Sequence, residues 1–178
     1  ALPDDVVLMA GFERGGRRKI LGRMRKIDEY SLSYVGPSAA FRNCVALARS
    51  RKLPVMAKLQ IGTTHELATV PNLPLIGNLY DKVKALKKLN LDSFMGCWNF
   101  GNMASANTVA FNRFWTSASL PPKRRALAGF ATDYFPGCDA GPVVDAWLQF
   151  AAAMDNYPFC FAFIYVGPIN HSLSLPMH

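Results

Sequence analysis

Between Pro54 and Phe100 the chain reads PVMAKLQIG, TTHELATVPNLP, IGNLYDKVKALKKLN and LDSFMGCWNF. An apolar run, a polar loop, a stretch of helical period and a second apolar run, in that order, predict a βαβ unit. Such a unit requires a parallel sheet, which restricts the chain to an α/β architecture built from parallel βα units. The polar residues gather where each apolar run ends. In parallel α/β folds the carboxyl ends of the strands form the face that holds the active site.

The remaining segments extend this pattern. Val6 to Phe12 (VVLMAGF) is a continuous apolar run that fits a strand buried on both faces, and Glu13 follows at its end. A basic segment then leads to EYSLSYV, residues 29 to 35, whose alternation predicts a second strand. Ser38 is placed to cap a helix from about Ala39 to Arg51. A third strand runs from Val55 to Ile61. The loop from Gly62 to Pro74 is long for a βα connection, where about 2–6 residues are usual, and long loops at that position are often functional. In the helix from about Leu75 to Leu89, Leu75, Leu79, Val83, Leu86 and Leu89 lie near one face. Lys82, Lys84, Lys87 and Lys88 fall largely off it and are expected to be wet. Leu91 to Trp98 makes the fourth strand. Helices follow over roughly Ser105 to Thr116, from Pro121-Pro122 to about Asp133, and from Val143 to Met154, and Phe159 to Val166 is a candidate last strand. The chain reads as one domain over residues 1–178. Its βα units occupy 1–135, and a helix and terminal strand occupy 136–178.

Composition narrows the function classes. A chain of 178 residues with 51% hydrophobic side chains can bury a sizeable core. Its net charge of +8 comes mainly from clusters at Arg14–Lys26, Lys82–Lys88 and Lys123–Arg125. No helix-turn-helix, zinc-finger or RNA-sheet signature accompanies them, so nucleic acid is disfavoured and a phosphate-contacting protein is the weakest reading. The four cysteines show no C-x-x-C spacing, and small buried hydrophobes are favoured over disulfides. Three histidines, none spaced H-x-x-x-H, give no zinc site, and neither a phosphate loop nor a G-x-S-x-G elbow is present. No cofactor is implied. No apolar run reaches the ~18–20 residues of a membrane span, and no signal peptide opens the chain, so no membrane role is expected. The opening ALPDD, without an initiator Met, fits a piece of something longer. The compartment is not indicated.

Three signatures, AKLQIGTTHELATVPNLP, LDSFMGCWNFGN and AWLQFAAAMDNYPFCFAFIYVGPIN, resemble the later part of the catalytic barrel of bacterial glycoside hydrolases. EYSLSYVGPS looks like an earlier strand of the same pattern, so the resemblance covers nearly the whole chain. His65 stands where the pattern has Trp, which alters the stacking surface beside Glu66. A full TIM-type (β/α)₈ barrel takes about 250 residues. The resemblance therefore implies a partial, half TIM-type barrel, with self-association or a missing amino-terminal half to cover its exposed edges and inner face. It also implies a carbohydrate substrate and cleavage of a glycosidic bond by carboxylate acid/base chemistry. The alternative is a non-catalytic carbohydrate-binding or assembly domain.

Glycosidic cleavage commonly uses two carboxyl groups across one bond. Of the three glutamates, Glu13 and Glu66 follow directly on predicted strands, whereas Glu29 begins one and is read as structural. Glu66 is the first candidate, as acid or nucleophile, and Glu13 the second. For each, a helix cap or an ion pair with a basic neighbour is the competing role. Lys58 and Gln60 point the same way on an otherwise apolar strand and need partners, either sugar hydroxyls or an internal network. His65 adjoins Glu66. Trp98 and Asn99 end the fourth strand, where the Trp ring is a platform for a sugar face or a core residue, and Tyr34 is a similar but weaker case.

Overall fold

The computed structural model describes residues 6–28, 30–63, 66–67, 70, 72–91, 93–97 and 104–159. The protein is a mixed α/β structure with a parallel three-stranded sheet, a separate hairpin and five helices among these residues. The sheet contains β1 (Leu8–Gly11), β4 (Val55–Gln60) and β5 (Ser93–Cys97) in the order β1-β4-β5. Met9 pairs with Met56 and Gly11 with Lys58, and on the other side Met56 pairs with Ser93 and Lys58 with Met95. Each strand thus lies beside the next along the sheet, with α1 (Ala39–Ser50) between β1 and β4 and α2 (Ile76–Lys88) between β4 and β5. The parallel register aligns the carboxyl ends of β1, β4 and β5 on one edge.

Alternation along the strands separates two faces. Val55, Ala57 and Leu59 are buried with the helices, and Phe94 on the same side packs against Phe111 and Trp115, with ring centroids 4.8 and 5.0 Å apart. The opposite face carries Met9, Met56, Lys58 and Met95. Met9 is 48% and Met95 42% exposed, so much of this apolar face is open to solvent.

After β5 come α3 (Ala106–Thr116), α4 (Lys123–Tyr134) and α5 (Ala140–Met154). All three pack on α2, and Phe130 stacks on Trp147 between α4 and α5 at 5.5 Å. Local chemistry sets the helix starts. Ser38 Oγ accepts from Phe41 N at 3.0 Å, Ser105 and Thr108 form a capping box, and Asp139 accepts from Gly141 N at 2.9 Å.

Two sequence expectations need correction. The stretch predicted as a second strand over 29–35 is irregular from Tyr30 to Val35, and Glu29 itself lies outside the described residues. Its alternating serines bind a carboxylate instead of pairing with a strand. The basic segment before it forms a hairpin of β2 (Gly16–Ile20) and β3 (Arg23–Ile27), with Gly22 at φ 78° in the turn. Of the candidate last strand, only Phe159 is described. Cys44 is half-buried and Cys138 exposed, both as free thiols, and the side chains of Cys97 and Cys160 fall outside the described residues.

Candidate active site at the carboxyl ends of the strands

Phe12 N still donates to Lys58 O of β4 at 2.8 Å, and the chain leaves β4 only after Phe12, where the site begins. The Phe12 carbonyl accepts from Ser38 N at 2.9 Å. Gln60 N, at the end of β4, donates at 3.0 Å to Glu13 Oε1, so a side-chain carboxyl continues the strand ladder where backbone leaves it. Glu13 is fully buried and ion-paired with Lys82, which α2 presents from below. Burial pushes the Glu13 carboxyl above its ordinary value of 4.5, outweighing the opposing pull of Lys82 and the Gln60 hydrogen bond. Glu13 Oε2 has no hydrogen-bond partner among the described residues.

Lys82 is also fully buried and has three acceptors: Glu13 Oε1, Ser31 O at 3.0 Å and Tyr34 O at 3.1 Å. That matches the three hydrogens of an ammonium group.

Glu66 completes the same network from the other side. Leu32 N donates to Oε2 at 2.9 Å, Ser33 N to Oε2 at 3.1 Å, and Ser31 Oγ to Oε1 at 2.6 Å, with Ser33 Oγ also on Oε1. Two backbone N–H groups and two hydroxyls thus donate to one carboxyl. The loop that carries Glu66 is folded around buried Thr63, whose carbonyl accepts from Glu66 N at 3.1 Å and whose hydroxyl accepts from Leu73 N at 3.0 Å. The Tyr157 hydroxyl donates to the Glu66 carbonyl, which ties the chain beyond α5 to this loop.

Between the two carboxyls runs the irregular segment 31–34. Its carbonyls accept from side chains: Leu32 O from Asn78 Nδ2 at 3.0 Å, Ser33 O from Arg18 Nη1 at 2.7 Å, and Ser31 O and Tyr34 O from Lys82. Glu13, Lys82, Ser31 and Glu66 therefore form one continuous polar chain inside the protein.

The other sequence candidates divide. Gln60 is buried and contributes its backbone N–H to Glu13. Lys58 is half-buried, with its ammonium 5.0 Å from the centre of the Tyr30 ring, so segment 30–34 lies over the open face of the sheet at this end. Tyr34 is half-buried and its ring packs on Gly16. A Cβ there would enter the ring and stand 2.9 Å from Glu13 O. Burial raises the Tyr34 phenol above its ordinary value. His65, Trp98 and Asn99 lie outside the described residues.

Sequence reasoning missed Lys82, expected on the wet face, and Ser31, Ser33 and Asn78. For Lys82 the signal was present. It lies three residues after Leu79 and four before Leu86, on the stripe those leucines define.

A cleft of about 570 Å³ opens beside the free edge of β1, between Gly11, Arg14 and Lys26 on one side and Ala40, Phe41 and Cys44 of α1 on the other. No group of three or more His, Cys, Asp or Glu side chains is placed to hold a metal among the described residues. No helix among them is long and apolar enough to cross a membrane. No protein-family model matches the sequence, and comparison with curated proteins and with solved structures returns no match.

Proposed function

We propose that this chain is part of a (β/α) barrel of the glycoside hydrolase type and acts on carbohydrate through Glu13 and Glu66. The observation that carries this reading is the buried network joining the two carboxyls at the carboxyl ends of a parallel sheet. Enzymes that cleave glycosidic bonds set two carboxyls in unlike surroundings, one holding a proton and the other accepting hydrogen bonds. Glu13 accepts from Lys82 and Gln60 N on Oε1, and its Oε2, without a hydrogen-bond partner among the described residues, is where a carboxyl with a raised pKa carries its proton; it has the first character and suits the general acid. Glu66, ringed by donors, has the second and suits the nucleophile or base. The partial barrel draws support from the sequential order of the sheet strands and from the exposed Met9 and Met95 on the face opposite the helices, because parallel sheets are covered on both sides. The missing cover is then a further barrel segment or a second copy of the chain.

Hydrolysis in this geometry requires the chain over the strand ends to open, since neither carboxyl has exposed surface. That same burial favours the second reading, a non-catalytic carbohydrate-binding or assembly domain in which Glu66 serves to hold segment 31–34. Glu13→Gln and Glu66→Gln separate the two when assayed for hydrolysis and binding across a panel of polysaccharides, with thermal melting to confirm folding. A folded variant that binds but no longer hydrolyses supports the enzyme. Binding without hydrolysis by the wild type supports the second reading. Unchanged hydrolysis in both variants ends the assignment of these carboxyls.

A further inference from the structure

The hairpin beside the carboxyl ends carries a charge arrangement that its own fold does not explain. From Arg14 to Asp28 there are seven cations and one acid. The register sets Arg17 directly opposite Lys26 and Arg18 opposite Arg25. Like charges facing each other across a strand pair oppose pairing, so the ribbon folds against its own electrostatics unless an anion lies on it. Arg18 is drawn inward, to Ser33 O and to Asp155. Arg14, Arg17, Lys19, Arg23, Arg25 and Lys26 stay exposed, and among the described residues only Lys26 of these has an acid beside it, Asp28 at 2.6 Å. Arg14 and Lys26 also border the 570 Å³ cleft at the base of the ribbon, together with Asp28. Cationic side chains therefore continue from the cleft onto the hairpin, with Arg17, Lys19 and Lys26 on one face and Arg23 and Arg25 on the other.

We propose that this surface binds an acidic polysaccharide, carboxylated or sulfated, and so sets the substrate class of the neighbouring carboxylate site. The inference rests on the carbohydrate reading above. Guanidinium groups take carboxylate and sulfate oxygens in paired hydrogen bonds, and cations spaced along both faces of a ribbon can meet repeated anionic groups along a glycan. Nucleic acid is the competing polyanion. The ribbon holds no aromatic side chain between Arg14 and Asp28, so it lacks the stacking platform on which single-stranded bases rest.

The test measures binding of the whole chain to polygalacturonate, chondroitin sulfate, a neutral β-glucan and a mixed-sequence DNA at several salt concentrations. It uses the wild type and an Arg17→Ser, Arg25→Ser double variant, which leaves Glu13, Lys82 and Glu66 untouched. The expected result is binding of at least one acidic glycan, weakening as salt rises, and weaker by about tenfold or more in the variant. Binding of the neutral glycan stays the same in both proteins. Neutral glycan bound as tightly as acidic glycan overturns this inference and leaves the carbohydrate reading standing. DNA bound more tightly than either acidic glycan overturns the inference in favour of nucleic acid. No glycan bound at all overturns both readings.

Discussion

Lys82 shows how much one buried side chain can organise. Its ammonium holds Glu13 and two carbonyls of a segment that has no strand partner. Lys82→Met leaves the Glu13 carboxyl buried and unpaired, and removing one member of a buried ion pair costs about 3–5 kcal/mol. Urea unfolding checks this, and the Glu13→Gln, Lys82→Met double variant is expected to recover part of the loss. Glu13 also gives stability a pH dependence. Its folded pKa is raised, so between 4.5 and that folded value the native state binds more protons than the unfolded chain. Its stabilising contribution is full below pH 4.5 and is lost as pH rises through the folded value. The stability of the wild type relative to Glu13→Gln should therefore fall across that window, and a relative stability that rises with pH contradicts the assignment. At this scale the sequence marks Glu13 and Glu66 by their places after apolar runs. The serines that hold Glu66 are hidden because their alternation imitates a strand.

The helices are the elements most open to sequence reading. Apolar residues recurring at helical period identify α1 and α2, and Ser38 marks where α1 begins. Ser38→Ala should cost about 1 kcal/mol, read as a lower urea midpoint with unchanged slope. Strands are less legible. VVLMAGF, VMAKLQ and SFMGC pair as expected because continuous apolar runs suit a parallel sheet. EYSLSYV has the right period and the wrong outcome, since buried donors and acceptors on Glu66, Asn78 and Lys82 satisfy its backbone more fully than an edge position on a sheet would. The hairpin is not legible as one, because charge masks the β-pattern where six of the ten strand residues are Lys or Arg. Gly16→Ala should weaken the hairpin's junction with Tyr34, since a Cβ there enters the ring. A lowered melting temperature checks that.

For the whole molecule, the notable property is a parallel sheet that the described helices cover on one side. Exposed Met9 and Met95 lie on the other face, and among the described residues β1 and β5 are the edges of the sheet. A chain built this way is expected to associate, with a mass by light scattering that rises with concentration. Met9→Lys with Met95→Lys should reduce that association, and a wild type that stays monomeric at all concentrations contradicts the partial-barrel proposal. The βα order was legible in the middle of the chain because the apolar runs from Val55 and from Leu91 stand about forty residues apart with a stretch of helical period between them. The uncovered face was not, because a buried inner strand and an open one share the same composition. The central claim concerns the two carboxyls, and the chain offers a direct view of them, having only Glu13, Glu29 and Glu66. Carbon-13 labelling of glutamate side-chain carboxyls gives three NMR signals to follow against pH and added oligosaccharide. The account predicts one signal that titrates above the ordinary carboxyl range, vanishes in Glu13→Gln and moves when a bound oligosaccharide is present. Three carboxyls titrating in the ordinary range, none responding to any oligosaccharide, would contradict it.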